Sequence, residues 1–95
     1  MSMRDAYERK MQAQLDEWAA EIKKLKAKAD QAEADAQIEY YRQIERLKQE
    51  QERAEAKLEE LRHASEGAWE DLKGGVEKAW LDLGEAVRAA ASRFG

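Results

Sequence analysis

The chain contains no cysteine, proline, asparagine or threonine. Without cysteine it can form neither a disulfide nor a thiolate metal site, so redox chemistry does not indicate its compartment. Without proline, no position forbids a helix outright. The β-branched aliphatic residues are few, three Ile and two Val, which disfavours a β-sheet. These absences together predict an all-α protein.

A strong charge of one sign and long apolar runs are also missing. The net charge of -4 at pH 7 does not favour a nucleic-acid partner. The densest basic stretch, residues 23–28, contains no aromatic residue and is followed at once by three acids, so we interpret it as a solvated helix face. No run approaches the roughly 18 apolar residues of a membrane span, and the first residues lack the apolar segment of a secretory signal. We therefore expect a cytoplasmic protein.

What the chain does contain is typical of long helices. Charged residues make up 40% of its 95 residues, and Ala, Glu, Lys, Leu and Arg dominate. Apolar positions recur every three or four residues from Leu15 to Phe94, with a mean spacing of about 3.6, which is the pattern of one helix face. The sequence predicts a single all-helical unit over residues 1–95, close to a coiled coil but with little supercoil.

One interruption is expected in this pattern. We take Ser65 and Gly67 as the plausible cap residues in mid-chain, and residues 3–64 contain no glycine. We therefore predict a long coiled-coil-like helix over 3–64, a turn at 65–67 and a shorter helix over 68–93, folded as an antiparallel hairpin. The apolar phase continues unbroken through Ser65, which also fits one continuous helix, and the sequence leaves both arrangements open.

The hairpin leaves the apolar stripe of the N-terminal part without a partner in its own chain. A tryptophan and several large aliphatic side chains on one stripe would not stay exposed on a lone helix. We therefore expect a homodimer or a higher homo-oligomer, and an unidentified protein assembly is a further candidate partner. The predicted self-association or docking face comprises Met11, Leu15, Trp18, Ile22, Leu25, Trp69, Leu72, Val76, Trp80, Leu83, Val87 and Phe94.

No catalytic, cofactor or metal site is predicted. The single histidine, His63, follows Glu60 in a Glu-x-x-His pattern, whose spacing suits the ligands of helical di-iron proteins. However, Glu60 and His63 lie on opposite sides of the inward face that Leu61 defines, so two surface side chains explain the pattern. One histidine, three serines and no loop-rich region leave no candidate nucleophile with its base. We expect a non-catalytic protein.

Residues 69–79 and 80–90 are near copies of each other. Eleven residues make almost three whole helical turns, so Trp69 and Trp80 point the same way, about 16 Å apart along the axis. We interpret the stripe that contains them as a bundle core. The alternative is a peripheral lipid-binding or desiccation-type protectant that binds a membrane surface through this amphipathic C-terminal helix.

Three glycines lie within this repeat, and each lowers the stability of a helix by about 1 kcal/mol relative to alanine. Gly75 adjoins the apolar stripe, where we expect the missing side chain to let a neighbouring helix approach closely. Gly74 and Gly84 have no evident packing reason. The C-terminal helix is therefore expected to depend on what it packs against.

Three segments carry a resemblance to known proteins: AQLDEW at 13–18, KAKADQAEADA at 26–36 and AWEDLK at 68–73. Through them nearly the whole chain resembles a family of small bacterial coiled-coil proteins labelled as stress-response proteins. This resemblance implies a cytosolic accessory protein and supplies no catalytic or ligand residues. The C-terminal part also resembles the eleven-residue-repeat helices of exchangeable apolipoproteins, synucleins and desiccation-related proteins, which implies binding to lipid surfaces or ordering upon drying. The expected function is that of a non-catalytic coiled-coil structural or interaction protein associated with stress.

Overall fold

Three helices of similar length make up the fold. The structure, a computed structural model, describes residues 2–94 and contains α1 (Met3–Asp30), α2 (Ala34–Arg62) and α3 (Glu66–Phe94). Three-residue turns reverse the chain between them, so that the helices form an elongated bundle of 51 × 20 × 17 Å. The described residues contain no strand, which confirms the predicted all-α class. No helix among them is long and apolar enough to cross a membrane.

The predicted two-helix hairpin is wrong, because the expected long helix over 3–64 is in fact two helices. A continuous helix of that length would reach about 90 Å, whereas the whole bundle is 51 Å long. The chain turns at 31–33, and α1 packs against both α2 and α3. The apolar stripe of α1 therefore has a partner within its own chain.

Side chains of α2 hold the first turn. The Gln37 side-chain amide donates hydrogen bonds to the carbonyl oxygens of Ala29 (3.2 Å) and Asp30 (3.3 Å). The Tyr41 hydroxyl donates to the Asp30 carboxylate. The two carbonyls belong to the last turn of α1, where the helix itself supplies no N–H donor, and the Ala29 carbonyl also accepts the backbone N–H of Ala32 at 3.1 Å. These bonds stabilise a helix end at residues 30–33, which include neither glycine nor proline.

The second turn lies at 63–65, two residues before its predicted place at 65–67, and α3 starts two residues earlier than predicted. Ser65 caps α3, since its Oγ accepts a hydrogen bond from the backbone N–H of Ala68 at 3.3 Å. Gly67 lies inside the first turn of α3, and no described glycine has a positive φ. α3 therefore begins at a serine cap, and α2 ends with His63 as its C-cap, without the left-handed conformation that glycine allows.

Arg4 of α1 joins two helices at this end of the bundle. Its Nη2 lies within hydrogen-bond distance of the carbonyl oxygens of Leu61 (3.1 Å), Arg62 (3.0 Å) and Ala64 (2.7 Å), where α2 ends. Its Nε pairs with Glu8 at 3.1 Å. A cation at the C-terminus of a helix also interacts favourably with the helix dipole. Arg4 thus fixes the start of α1 against the end of α2.

The core draws on all three helices, and no polar or charged residue is buried in it within the described part of the chain. Its residues are Met11, Leu15, Ile22, Leu25, Ala29, Ile44, Leu47, Ala54, Leu58, Leu61, Trp69, Val76, Ala79, Trp80, Leu83, Val87, Ala90 and Phe94. Each large apolar side chain removed from water contributes about 1.5–3 kcal/mol. α2 packs more extensively on α1 and on α3 than those two pack on each other, so the side between α1 and α3 is the most open.

Gly84 has a packing role that was not expected from the sequence. A Cβ added at this position would lie 3.0 Å from Cζ2 of Trp18. The missing side chain therefore lets the indole of α1 lie against the backbone of α3. The close approach expected at Gly75 is wrong, because no atom outside its own helix backbone and neighbours lies within 4 Å of a Cβ built there. Gly74 is equally open.

Candidate interaction groove between the first and third helices

The predicted self-association face lies inside the bundle. Of its twelve residues, Trp18 and Leu72 are half-buried and the other ten are buried in the core of a single chain. The ten are Met11, Leu15, Ile22, Leu25, Trp69, Val76, Trp80, Leu83, Val87 and Phe94. The structure thus brings these residues together within one chain. A surface that binds another chain while the bundle stays closed must consist largely of other side chains.

The open side of the bundle carries a groove between α1 and α3. Two adjoining hollows of about 530 and 400 Å³ form it. The first, near the start of both helices, is lined by Met3, Arg4, Ala6, Tyr7, Lys10, Glu66, Trp69, Glu70 and Lys73. The second, nearer mid-length, is lined by Tyr7, Lys10, Met11, Gln14, Trp18, Glu77, Trp80, Leu81 and Arg88. Because the hollows share Tyr7 and Lys10, they form one continuous surface, the α1–α3 groove.

Two aromatic rings form the floor of the first hollow. The rings of Tyr7 and Trp69 meet edge to face, with centroids 5.4 Å apart and planes at 76°. The Lys73 ammonium lies 5.0 Å from the centroid of Tyr7 and 5.8 Å from that of Trp69, within the range of a cation–π contact. The Trp69 indole N–H donates to Glu8 of α1 at 3.1 Å. Contacts with α1 therefore fix the orientation of this α3 ring.

The Tyr7 hydroxyl reaches across the groove and donates to Glu77 of α3 at 3.4 Å. Burial disfavours the phenolate, and the Glu77 carboxylate disfavours it further through its charge and by accepting the hydrogen bond. Together these effects raise the pKa of Tyr7 from 10.0 to about 12. Tyr7 therefore stays protonated at neutral pH and keeps its hydrogen to donate.

Leu81 lines the second hollow and is its most exposed large apolar side chain. It is 66% exposed, whereas the other described leucines are buried or half-buried. It lines the hollow together with the half-buried ring of Trp18. The apolar stripe passes through Trp80 and Leu83, so Leu81 was not among the predicted residues. The eleven-residue repeat does distinguish this position, because the residue that matches Leu81 in the first copy is the charged Glu70.

The α1–α3 groove is more basic than the chain as a whole. Four basic and three acidic side chains line it, although the net charge of the protein is -4. Within the described part of the chain, Lys10, Lys73 and Arg88 form no ion pair with a carboxylate. Charged side chains at the edge of an apolar surface are available to a partner of complementary charge.

His63 does not line this groove and lies at the end of α2. Its Nε2 hydrogen-bonds with Oε1 of Glu59 at 2.8 Å, and its side chain is 75% exposed. This hydrogen bond lowers the pKa of Glu59. Glu60, the acid of the Glu-x-x-His pattern, instead pairs with Lys57 at 3.9 Å. Across residues 2–94, no three His, Cys, Asp or Glu side chains are grouped as metal ligands would be.

Comparison of this chain with protein-family models, curated proteins and solved structures finds no match. The candidate site is therefore defined by the geometry of the chain itself, above all by the apolar and charged side chains of the α1–α3 groove.

Proposed function

We propose that this protein is a non-catalytic structural or interaction protein that self-associates. The observation that carries the proposal is the α1–α3 groove, where the exposed Leu81 shares a hollow with the half-buried rings of Tyr7 and Trp18. Apolar side chains that lie together on an open surface, with charged residues around them, are typical of protein–protein interaction sites. Because the core is complete within one chain, self-association adds a contact between folded bundles.

The non-catalytic part of the proposal is supported by the residues at hand. The chain has one histidine and no cysteine, and His63 is exposed at a helix end outside the groove. The residues that line the α1–α3 groove include neither serine nor histidine. The pairing of a serine or cysteine nucleophile with a histidine base is therefore not assembled there.

The resemblance to small bacterial stress-response coiled-coil proteins extends this proposal. It supports a stress-associated accessory role, a cytoplasmic location and docking of the bundle onto a second protein assembly. The segments that carry the resemblance lie in all three helices, at 13–18, 26–36 and 68–73, so it concerns the whole bundle.

Binding to a lipid surface is the second candidate function. α3 is the most apolar of the three helices and contains the eleven-residue repeat. In the closed bundle, however, its apolar face is buried, with Val76 and Leu83 at 0% exposure. Lipid binding therefore requires α3 to leave the core, which also exposes the apolar faces of α1 and α2. This cost makes self-association of the closed bundle the better supported function.

Sedimentation equilibrium from micromolar to millimolar concentration tests the proposal. We expect a reversible oligomer, and circular dichroism should show high helicity even at the dilute end, since each copy folds by itself. A chain that stays monomeric over the whole range contradicts self-association. Liposomes separate the second candidate, because insertion of α3 would shift the tryptophan emission and carry the protein into the lipid pellet.

A further inference from the structure

We propose that the α1–α3 groove binds a second copy of this chain, which lies parallel to the first, so that α1 of each copy covers α3 of the other. This inference rests on the proposed self-association and specifies its surface, partner and orientation. A two-fold axis parallel to the helices, running between the two grooves, produces the arrangement. Both copies then use the same patch, as a two-fold dimer requires.

The relative level of the two helices within one chain is the first observation. α1 and α3 run in the same direction, because α2 reverses the chain between them. Four contacts between the two helices span 70 residues (Tyr7 to Glu77), 69 (Met11 to Trp80), 66 (Trp18 to Gly84) and 61 (Glu8 to Trp69). A residue of α1 is therefore roughly level with the residue of α3 that follows it by about 67 positions.

Charges of opposite sign lie at equal levels on the two helices. Lys10 precedes Glu77 by 67 residues, and Glu21 precedes Arg88 by 67 residues. Lys10, Glu77 and Arg88 line the groove, and Glu21 follows the groove residue Gln14 by two helical turns and so lies on the same face of α1. Within the described part of the chain, none of the four charges forms an ion pair.

A parallel second copy brings these charges together. When α1 of one copy covers α3 of the other at equal level, Lys10 meets Glu77 and Glu21 meets Arg88. The two-fold axis repeats both pairs, so four ion pairs of opposite sign form across the dimer. Complementary charges of this kind set the register and orientation of an interface.

An antiparallel second copy opposes like charges instead. It stacks α3 on α3 about Leu81, which lies near the middle of that helix. Lys73, about 12 Å before Leu81 along the helix, then meets Arg88, about 10 Å after it. Glu77 and Glu85, each about 6 Å from Leu81, meet as well. Because like charges placed opposite each other disfavour association, the charge pattern selects the parallel orientation.

The size and apolar centre of the surface also suit a second copy. Leu81 is level with Gln14 of α1, so in the dimer it lies about one helical turn from Trp18 of the second copy. A face of the bundle measures 51 by 20 Å. The area of such a face is comparable to the ~800 Å² that each partner of a standard interface buries. The second copy thus covers the exposed Leu81 and the open side of the bundle together.

Leu81→Glu tests the surface, with Ile38→Glu as its matched control. Both side chains are exposed, at 66% and 58%, so neither change should prevent folding, and circular dichroism checks this. Ile38 lies on α2 and does not line the groove. We expect Leu81→Glu to raise the dimer Kd by about a hundredfold or more, because two leucines per dimer lose their apolar contact. Ile38→Glu should leave the Kd unchanged.

The outcomes distinguish this inference from the proposed function. If the unaltered chain dimerises and Leu81→Glu dimerises equally well, the assigned surface is wrong while self-association stands. If the unaltered chain never dimerises, the proposed function itself fails.

Mixing two charge-reversed variants tests the orientation. In a dimer of Arg88→Glu, a glutamate at position 88 faces Glu21 at both symmetric contacts. In a dimer of Glu21→Arg, an arginine at position 21 faces Arg88 at both. Each variant alone should therefore raise the dimer Kd by about tenfold. In an equimolar mixture, the heterodimer has opposite charges at both positions. We expect mixing to restore association to the level of the unaltered chain. Association that does not improve on mixing overturns the parallel arrangement.

Discussion

Replacing Arg4 with alanine should destabilise the bundle more than removing an ordinary surface arginine does. The Arg4 side chain is only 27% exposed, and its Nη2 has three carbonyl acceptors at 2.7–3.1 Å. A hydrogen bond to a charged group contributes about 1.5–3 kcal/mol. Nη2 carries only two hydrogens for these three acceptors and keeps some contact with water. The total contribution of the three contacts is therefore close to that of one strong hydrogen bond. We expect Arg4→Ala to lower the free energy of unfolding by about 2–3 kcal/mol.

Thermal and urea unfolding, followed by far-ultraviolet circular dichroism, measure this loss. In a domain of this size, a loss of 2 kcal/mol lowers the melting midpoint by about 10 °C. Because the acceptors are neutral carbonyls, most of the loss should persist at high salt, which screens exposed ion pairs. All variants are compared at one protein concentration, since self-association would add to the apparent stability.

Two controls help to assign the loss, because Arg4→Ala also removes the ion pair with Glu8 and the cation–π contact with Trp69. Arg4→Lys keeps the charge but not the planar fork of donors, so its stability should fall between those of the unaltered chain and Arg4→Ala. Arg42 is exposed on α2 and forms no ion pair within the described residues. Arg42→Ala should change stability by less than about 0.5 kcal/mol. If Arg4→Ala costs no more than Arg42→Ala, the carbonyl bonds do not stabilise the bundle.

Two further predictions concern glycine and pH. Gly74→Ala and Gly75→Ala should each raise the free energy of unfolding by about 0.5–1 kcal/mol, because the space around them is open. Gly84→Ala should give no gain, since its Cβ would lie 3.0 Å from Trp18; equal gains at all three positions in urea titrations contradict this packing. The pKa of Tyr7 is raised from 10.0 to about 12, so the folded chain holds this proton more tightly, and the stability it contributes is complete below pH 10 and lost toward pH 12. Unfolding of the unaltered chain and Tyr7→Phe across this window measures the effect, and a constant difference between them rules it out.

The inward faces of the helices could be predicted from the sequence. Leu58, Leu61 and Val76 lie on the apolar stripe with its spacing of three or four residues, and each is at most 1% exposed. A helix buries the same face along its length whatever it packs against, so periodicity is sufficient to identify the core positions.

The turn at 31–33 could not be predicted in the same way. Residues 30–33 read Asp-Gln-Ala-Glu and include no helix breaker, and the stripe keeps its phase through Ala32 and Ala36. The helix ends there because of contacts between distant parts of the fold, including the bonds of Gln37 and Tyr41 to the end of α1. Tertiary packing therefore overrides the local preference for helix at this point.

The periodic pattern of apolar residues also did not predict which helices α1 packs against. Leu15, Ile22 and Leu25 need an apolar partner, but a third helix of the same chain and a second copy of the chain satisfy this need equally well. The sequence pattern records that a face is buried and does not record which chain buries it. Because the chain turns at 31–33, α1 folds back and packs against helices of its own chain.

The candidate groove was missed because its central residue is outside the stripe. Leu81 follows Trp80 directly and therefore points away from the core face on which Trp80 and Leu83 lie. The informative comparison is between the two copies of the repeat, in which Leu81 takes the place of Glu70. A leucine in place of a charge at a solvent-facing position of a repeat is therefore the sequence feature that indicates an exposed apolar surface.

The bonds made by Arg4 join parts of the chain that are 57–60 residues apart. They lie at the open end of the α1–α2 pair, whereas the three-residue turn at 31–33 closes its other end. Contacts near a turn close a short loop and tend to form early in folding, whereas contacts at the open end close a long loop and tend to form after them. Interactions that form after the transition state slow unfolding without speeding folding. We therefore expect Arg4 to affect mainly how long a folded bundle persists, with little influence on how quickly it forms.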